Sequence, residues 1–204
     1  MKERKSKTNK NMRIYLITLI IAVVATNALQ AQHLNIGIKG GLNMYNVVNE
    51  NNNYGDPIAG FHIGLVSHFH LNDQFALQPE LVFSTQGSNN TNDGLNSKLN
   101  LNYINVPVSL QYMFDNGFRL FAGPQLSFLV GAKSYSNNTE LDRTDDFNGI
   151  DFGAVLGMSY INPNSNLGID VRYNLGLSEI NETSTVSIYN RGIQLGLFYL
   201  FNHK

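Results

Sequence analysis

The sequence predicts an all-β protein, an eight-stranded antiparallel up-and-down transmembrane β-barrel with short periplasmic turns and long extracellular loops. Three observations carry the prediction. Charged residues are only 14% of the 204-residue chain, against roughly 25% in an ordinary soluble domain, yet the hydrophobic share is an ordinary 43%. Apolar and polar residues alternate with period two in eight segments, each about ten residues or longer, which is the length a tilted strand needs to cross a bilayer. The connections alternate short and long, so all tight turns fall at one end and all long loops at the other.

Ahead of the strands, MKERKSKTNKNMRIYLITLIIAVVATNALQAQ has the three parts of a secretory signal. Lys2, Arg4, Lys5, Lys7, Lys10 and Arg13 form a basic start, Ile14 to Ala25 an apolar run, and small residues follow at Ala28 and Ala31. Cleavage after Ala31 is expected, with Ala28 as the alternative, which divides the chain into a signal peptide over 1–31 and a barrel domain over 32–204. A retained anchor helix fits less well, because the apolar run is about 12 residues where a span needs about 20. Cleavage removes six of the fourteen basic residues and one acid, leaving an acidic chain with no basic stripe for phosphates. Nucleic acid is therefore excluded as a partner. With no cysteine, disulfides, thiolate metal sites, cysteine nucleophiles and a lipidated N-terminal cysteine are excluded too.

The first strand sets Leu34, Ile36, Ile38, Leu42 and Met44 against Asn35, Gly37, Lys39, Gly41 and Asn43. In the second, Phe61, Ile63, Leu65, Phe69 and Leu71 oppose Gly60, His62, Gly64, His68 and His70. The third sets Phe75, Leu77, Leu81 and Phe83 against Gln78, Glu80, Ser84 and Gln86, and the fourth has Ile104, Val106, Val108, Leu110, Tyr112 and Phe114 on its apolar face. The fifth, GFRLFAGPQLSFLVGAK, places Phe118, Leu120, Ala122, Pro124, Leu126, Phe128 and Val130 opposite Arg119, Phe121, Gly123, Gln125, Ser127, Leu129 and Gly131. Ile150 to Tyr160, Leu167 to Leu175 and Ile193 to Phe201 repeat the pattern in the last three.

NDQ, DNG and NPNSN are the tight turns, rich in residues that form them. The long loops are expected over 46–58, 87–99, 133–148 and 178–189.

A soluble barrel would turn its apolar face inward and scatter charge over the solvated face. Here the polar faces hold mostly Gly, Ser, Asn and Gln, with six charges, Lys39, Glu80, Arg119, Asp151, Asp170 and Arg172, that cancel. Groups enclosed together must cancel in this way. The apolar faces are free of charge as far as Arg191, and their aromatics gather beside the short turns and again nearer the loops, as at two membrane interfaces. The apolar face is thus assigned to lipid and the six charges to a network inside the lumen. Counted from the turn end, Lys39, Glu80, Asp170 and Arg172 fall at similar heights, so Glu80 is expected to be held by Arg172 or Lys39.

The phrases IGIKGGLN, LQPELVFSTQG, YINVPVSLQYMF, LFAGPQLSFLVGAK, DFGAVLGMSY, LGIDVRYNLGLSEI and IQLGLFYLF span the expected mature chain. Together they resemble the PorT-like outer-membrane β-barrel family of Bacteroides-type bacteria. The resemblance implies an integral protein of the cell outer membrane. It implies no single activity, since the member that names the family assists type IX secretion while other members have no assigned role. It carries no catalytic residue onto this chain.

His62, His68 and His70 share a face, and the last two have a spacing that could chelate a metal. No third ligand is evident in the sequence, so filling of a polar lumen is the reading adopted and no metal is expected. Loop acids gather at Glu50, Asp56, Asp93, Glu140, Asp142, Asp145, Asp146, Glu179 and Glu182, and ELDRTDDFNG offers oxygens that suit calcium. Its spacing does not follow an EF-hand, so a solvated acidic surface is the reading adopted. Asn89, Asn137 and Asn181 match a glycosylation sequon that Asn-rich loops produce by chance. No GxSxG elbow or ordered Ser-His-Asp set is present. The expectation is a non-enzymatic, non-conducting structural or interaction barrel without cofactor. Its surroundings are outer-membrane lipid and lipopolysaccharide, with an envelope or secretion-machinery protein as partner. The alternatives are an accessory subunit of a type IX-like secretion system and a lipid-modifying enzyme.

Overall fold

The computed structural model describes residues 34–49, 55–92, 95–136, 139–181 and 187–201, together with the backbone but not the side chains of 34, 90–92 and 95–96. The expected signal segment and the sequon Asn137 lie outside the described residues.

Among the described residues there are nine strands: β1 (Leu34–Asn49), β2 (Asp56–His70), β3 (Phe75–Asn92), β4 (Leu95–Met113), β5 (Phe118–Ser136), β6 (Thr139–Asp142), β7 (Ile150–Ile161), β8 (Leu167–Gly176) and β9 (Ile188–Leu200). Eight of them form the barrel, in the order β4-β3-β2-β1-β9-β8-β7-β5, and pairing of β4 with β5 closes it. Every barrel strand therefore pairs with its chain neighbours, as an up-and-down barrel requires. The remaining strand, β6, folds back on the end of β5 from Lys133–Asp142 to Ser136–Thr139.

The short turns are built as their residues dictate. Asn72 Oδ1 accepts hydrogen bonds from the backbone N–H of Gln74 (2.9 Å) and Phe75 (2.7 Å). Asn116 and Asn162 do the same for Phe118 (3.0 Å) and Asn164 (2.9 Å). These are Asx turns, in which a short side chain imitates a backbone acceptor. Gly117 (φ 87°) and Asn166 (φ 56°) close two of the turns in the left-handed region that these residue types tolerate.

The loop end departs from expectation. Residues 87–92 and 95–99, expected as loop, are strand, paired from Gly87–Asn100 to Asn92–Leu95, and β5 continues to Ser136. Polar residues do not end a strand once the chain has left lipid, because the ladder satisfies the backbone there as well as water does. As a result β3, β4 and β5 have 18, 19 and 19 residues while β7, β8 and β9 have 12, 10 and 13.

Leu42, Leu156 and Ile63 are 68%, 65% and 60% exposed on the outer face, whereas Lys39, Glu80, Asp170 and Arg172 are buried on the inner one. Aromatic pairs ring the turn end, with centroids 5.3 Å apart for Phe75–Tyr112, 4.9 Å for Tyr112–Phe114, 5.7 Å for Phe114–Phe118 and 5.4 Å for Tyr199–Phe201. Phe61 and Phe83 pair nearer the loops at 6.1 Å. One stretch of β5 breaks the alternation. A bulge at Val130, between the pairs Asn102–Gly131 and Tyr103–Leu129, reverses the faces beyond it. Gly131 therefore shares the outer side with Asn102, and Ala132 turns in beside Leu101. Phe128, placed by alternation on the outer face, is buried.

The ladder itself is uneven. From β5–β7 through β7–β8 and β8–β9 to β9–β1 the paired residues follow one another without a gap. The β2–β3, β3–β4 and β4–β5 seams are each interrupted, β2–β3 by a register shift between Pro57–Ser88 and His62–Ser84 as well, and one interruption in each seam contains a proline. The β2–β3 pairs jump from Val66–Glu80 to Phe69–Leu77, leaving Pro79 opposite Ser67. The β3–β4 pairs jump from Pro79–Val108 to Val82–Asn105, with Pro107 opposite Glu80. The β4–β5 pairs jump from Pro107–Gln125 to Leu110–Ala122, with Pro124 opposite Val108. A proline has no N–H to give the facing strand, so a rung fails at each.

Candidate functional site

The inner face of the barrel is filled at three levels. At the turn end Val66, Ile161, Phe198 and Leu200 form a buried apolar cluster. At the loop end a larger one holds Val47, Leu101, Tyr103, Leu129, Ala132, Ile180 and Ile188, with Leu99 and Phe147 packed against it. Ile180 reaches that position from the segment after β8, which is tied down by Asn148 N–H to Ile180 O (2.8 Å) and Ile180 N–H to Ile188 O (3.0 Å). Asn148 Nδ2 also donates to Glu179 O at 2.8 Å.

Between these levels lies the polar site. Lys39 from β1, Glu80 from β3, and Asp170 and Arg172 from β8 meet across the lumen. Their spacing follows from the strand period: Asp170 and Arg172 are two apart and so share the inner face. Arg172 grips Glu80 with both terminal nitrogens, Nη1 to Oε2 at 2.9 Å and Nη2 to Oε1 at 2.8 Å. Lys39 Nζ reaches Glu80 Oε2 at 3.2 Å and Asp170 Oδ2 at 2.6 Å, and Arg172 Nη2 also reaches Asp170 Oδ2 at 2.5 Å. Gln78 Nε2 donates to Glu80 Oε1 at 2.7 Å and is itself placed by Gln111, whose Nε2 donates to Gln78 Oε1 at 2.8 Å. Glu80 thus receives four donors, one for each lone pair a carboxylate offers. The guanidinium carbon of Arg172 lies 5.0 Å from the centre of the Phe121 ring, a cation–π contact. Two cations and two anions balance in a region with almost no solvent access. A paired, neutral set is the form in which buried charge persists, although Asp170 Oδ1 and Arg172 Nε make no hydrogen bond here.

All six inward charges expected from the sequence are buried, and ion pairs join four of them, Lys39, Glu80, Asp170 and Arg172. Arg119 stands nearer the turns, opposite Ser159 in the β5–β7 register. Asp151 is nearer the loops and accepts a hydrogen bond from Ser178 Oγ at 2.6 Å. The three histidines do not converge. His68 and His70 contact each other edge to face at 4.5 Å, whereas His62 is six residues from His68, roughly 20 Å along a strand at about 3.3 Å per residue. His62 instead lies over Gly41 and Gly196, whose missing side chains leave it room beside Asp170.

In the ELDRTDDFNG segment Glu140, Asp142 and Asp146 bind neighbouring side chains or backbone. Asp142 Oδ1 accepts from Thr144 N–H (2.9 Å) and Oγ1 (2.7 Å), Arg143 Nη1 donates to Asp146 Oδ2 (3.1 Å), and Lys133 Nζ donates to Glu140 Oε1 (2.5 Å). Sequence reasoning missed the part of Gln78, Gln111 and Phe121 in the polar site. The shared face of Gln78 and Glu80, two residues apart, was the available signal for the first of them.

Comparison with known proteins fits this geometry. Neisserial surface protein A is similar in fold with a TM-score of 0.57 at 14% identity, over 83% of this chain and 100% of that one. Ail, the attachment invasion locus protein of Yersinia pestis, is similar with a TM-score of 0.50 at 17% identity, over 82% of this chain and 98% of that one. No curated protein sequence matches the chain. Residues 30–182 match the family described as outer membrane protein beta-barrel domain, and the chain belongs to that family of outer-membrane barrels.

Proposed function

We propose that this barrel works by binding a partner rather than by conducting or catalysing. The observation that carries the reading is the filled lumen: buried apolar clusters near both ends and a buried, charge-balanced ion cluster between them favour a plugged rather than a conducting barrel. An eight-stranded barrel is just wide enough for side chains to fill it. The four charged groups of the cluster are engaged with one another, which favours a structural over an enzymatic role for them.

The surface offered outside the cell is the sheet of β3, β4, β5 and β6 that rises beyond the lipid-facing bands. The likeness to PorT-like barrels supports an envelope protein as its partner, in the manner of an accessory membrane subunit, with lipid and lipopolysaccharide around the wall. Export on the N-terminal segment would deliver the chain to the outer membrane.

Reconstituted protein in a planar bilayer should show no steady current, and a large persistent conductance would overturn the reading. Affinity isolation of the intact barrel from outer membranes, against a version with Thr139–Asp142 shortened, should recover a specific envelope protein only with the full hairpin.

A further inference from the structure

The failed rungs and the ion cluster meet at one residue. Glu80 follows Pro79 directly and faces Pro107 across the β3–β4 seam, so it stands at the centre of the interrupted ladder. Its side chain is nevertheless held, and held from the opposite wall. Arg172 on β8 supplies two bonds and Lys39 on β1 a third, while Asp170 on β8 binds both cations. Every charged partner of Glu80 in this cluster is therefore rooted in the part of the wall whose ladder has no gap.

We propose that β2 to β5 form a hinged half of the barrel wall and that the bonds of Glu80 to Arg172 and Lys39 are the latch holding it to the rigid half. The physical reason lies in the solvent. In hydrocarbon no water replaces a missing backbone hydrogen bond, so three interrupted seams side by side form a band where strands resist parting less than elsewhere. Gly123 allows the wall to close over one interruption, since its bare Cα lies against the Val108 carbonyl that Pro124 cannot serve. The hinged strands include β3, β4 and β5, which rise furthest at the loop end. Movement at the latch is thus delivered to the surface outside the membrane.

Strand-resolved hydrogen exchange on the full barrel in lipid nanodiscs tests it. Glu80→Gln keeps the shape of the side chain but removes its charge. It should speed exchange by about tenfold or more at amides such as Leu81 and Ser109 in the hinged half, with Val171 and Leu195 in the rigid half unchanged. Equal acceleration around the whole barrel would overturn the latch, and so would no acceleration anywhere. Pro107→Ala, made with the cluster intact, restores an N–H opposite Glu80 and should slow exchange along the β3–β4 seam. It should also recover part of the protection lost in Glu80→Gln when the two are combined. Unchanged exchange at that seam in Pro107→Ala would overturn the hinge whatever the behaviour of the Glu80 variant.

Discussion

From β5 through β7, β8 and β9 to β1 the barrel wall is paired without a gap, and it is lined inside by glycines: Gly153, Gly157, Gly168, Gly176, Gly192 and Gly196 on β7 to β9 alone. From β2 to β5 the ladder fails at Pro79, Pro107 and Pro124, and the inner faces of β3 and β4 carry no glycine but Gln78, Glu80, Gln86, Tyr103 and Gln111. The continuous half combines an unbroken ladder and many small residues with Lys39, Asp170 and Arg172, which reach across to the long polar side chains of β3 and β4. The contrast teaches that a wall in lipid need not be evenly bonded, provided that side chains cross the lumen to tie its weaker part to its stronger. The cross-lumen hydrogen bond from Asn190 to Gln86 repeats the arrangement nearer the loops.

The largest expected effect breaks the tie between the halves. Glu80→Ala leaves Arg172 and Lys39 facing an empty position, and removing one partner of a buried ionic set typically costs about 3–5 kcal/mol. Equilibrium unfolding in lipid vesicles should show that loss. Glu140→Ala, on the exposed hairpin, should leave the same transition in place. A similar loss from both variants would mean that the cluster is no more than surface charge.

Next in size is a test of whether lipid treats the halves alike. Leu126→Arg in the interrupted half and Leu195→Arg in the continuous half should each cost about 2–4 kcal/mol, the usual penalty for a charge at mid-membrane on the lipid face. Ser127→Arg, on the inner face beside Leu126, avoids that penalty and meets only crowding. If Ser127→Arg proved much the worst of the three, the assignment of faces would be wrong.

A smaller effect separates inner from outer glycines of the continuous half. At Gly196 an added Cβ would lie 2.5 Å from Asp170 Oδ1 and 3.0 Å from His62 Nε2, whereas at Gly40 the nearest atom is His62 O at 3.4 Å. Gly196→Ala should therefore lose about 1–3 kcal/mol, the usual range for overpacking, and Gly40→Ala should lose less in the same vesicle assay. The reverse order would show that the space over Gly196 is not shaped by the ion cluster.

Much of this was legible in the sequence because a barrel wall is nearly one-dimensional information. A period of two assigns each residue to a face, and counting from Asn72 or Asn116 gives its height, which is how Lys39, Glu80, Asp170 and Arg172 could be brought to one level before any pairing was known. What could not be read depends on register or on three dimensions. The bulge at Val130 reverses the faces of Gly131 and Ala132 without any mark in composition. Ile180 enters the lumen from a stretch with no alternation. The prolines were visible as letters, but that Pro79, Pro107 and Pro124 interrupt three consecutive seams follows only from which residue stands opposite each.

The smallest effect concerns the hairpin that the hinged half carries outside the membrane. Lys133 and Glu140 join β5 to β6 through an exposed hydrogen-bonded ion pair at 2.5 Å. The hydrogen bond from Lys133 holds the Glu140 carboxyl below the ordinary glutamate range, and the bond to Glu140 raises Lys133 above the ordinary lysine range. A carboxyl lowered by folding contributes order above its unfolded value and loses it as pH falls through the lowered folded value. A raised lysine contributes fully below its unfolded value and loses its share only as pH rises through the raised one. Protection of the β6 amides, corrected for intrinsic exchange, should thus be level across neutral pH and fall once acidity passes below about pH 4. Glu140→Gln should abolish that acid dependence while the seams of the continuous half keep theirs. If β6 in Glu140→Gln still loosened in acid, another group would be titrating, and Asp142, opposite Lys133 in the same register, would be the next to replace.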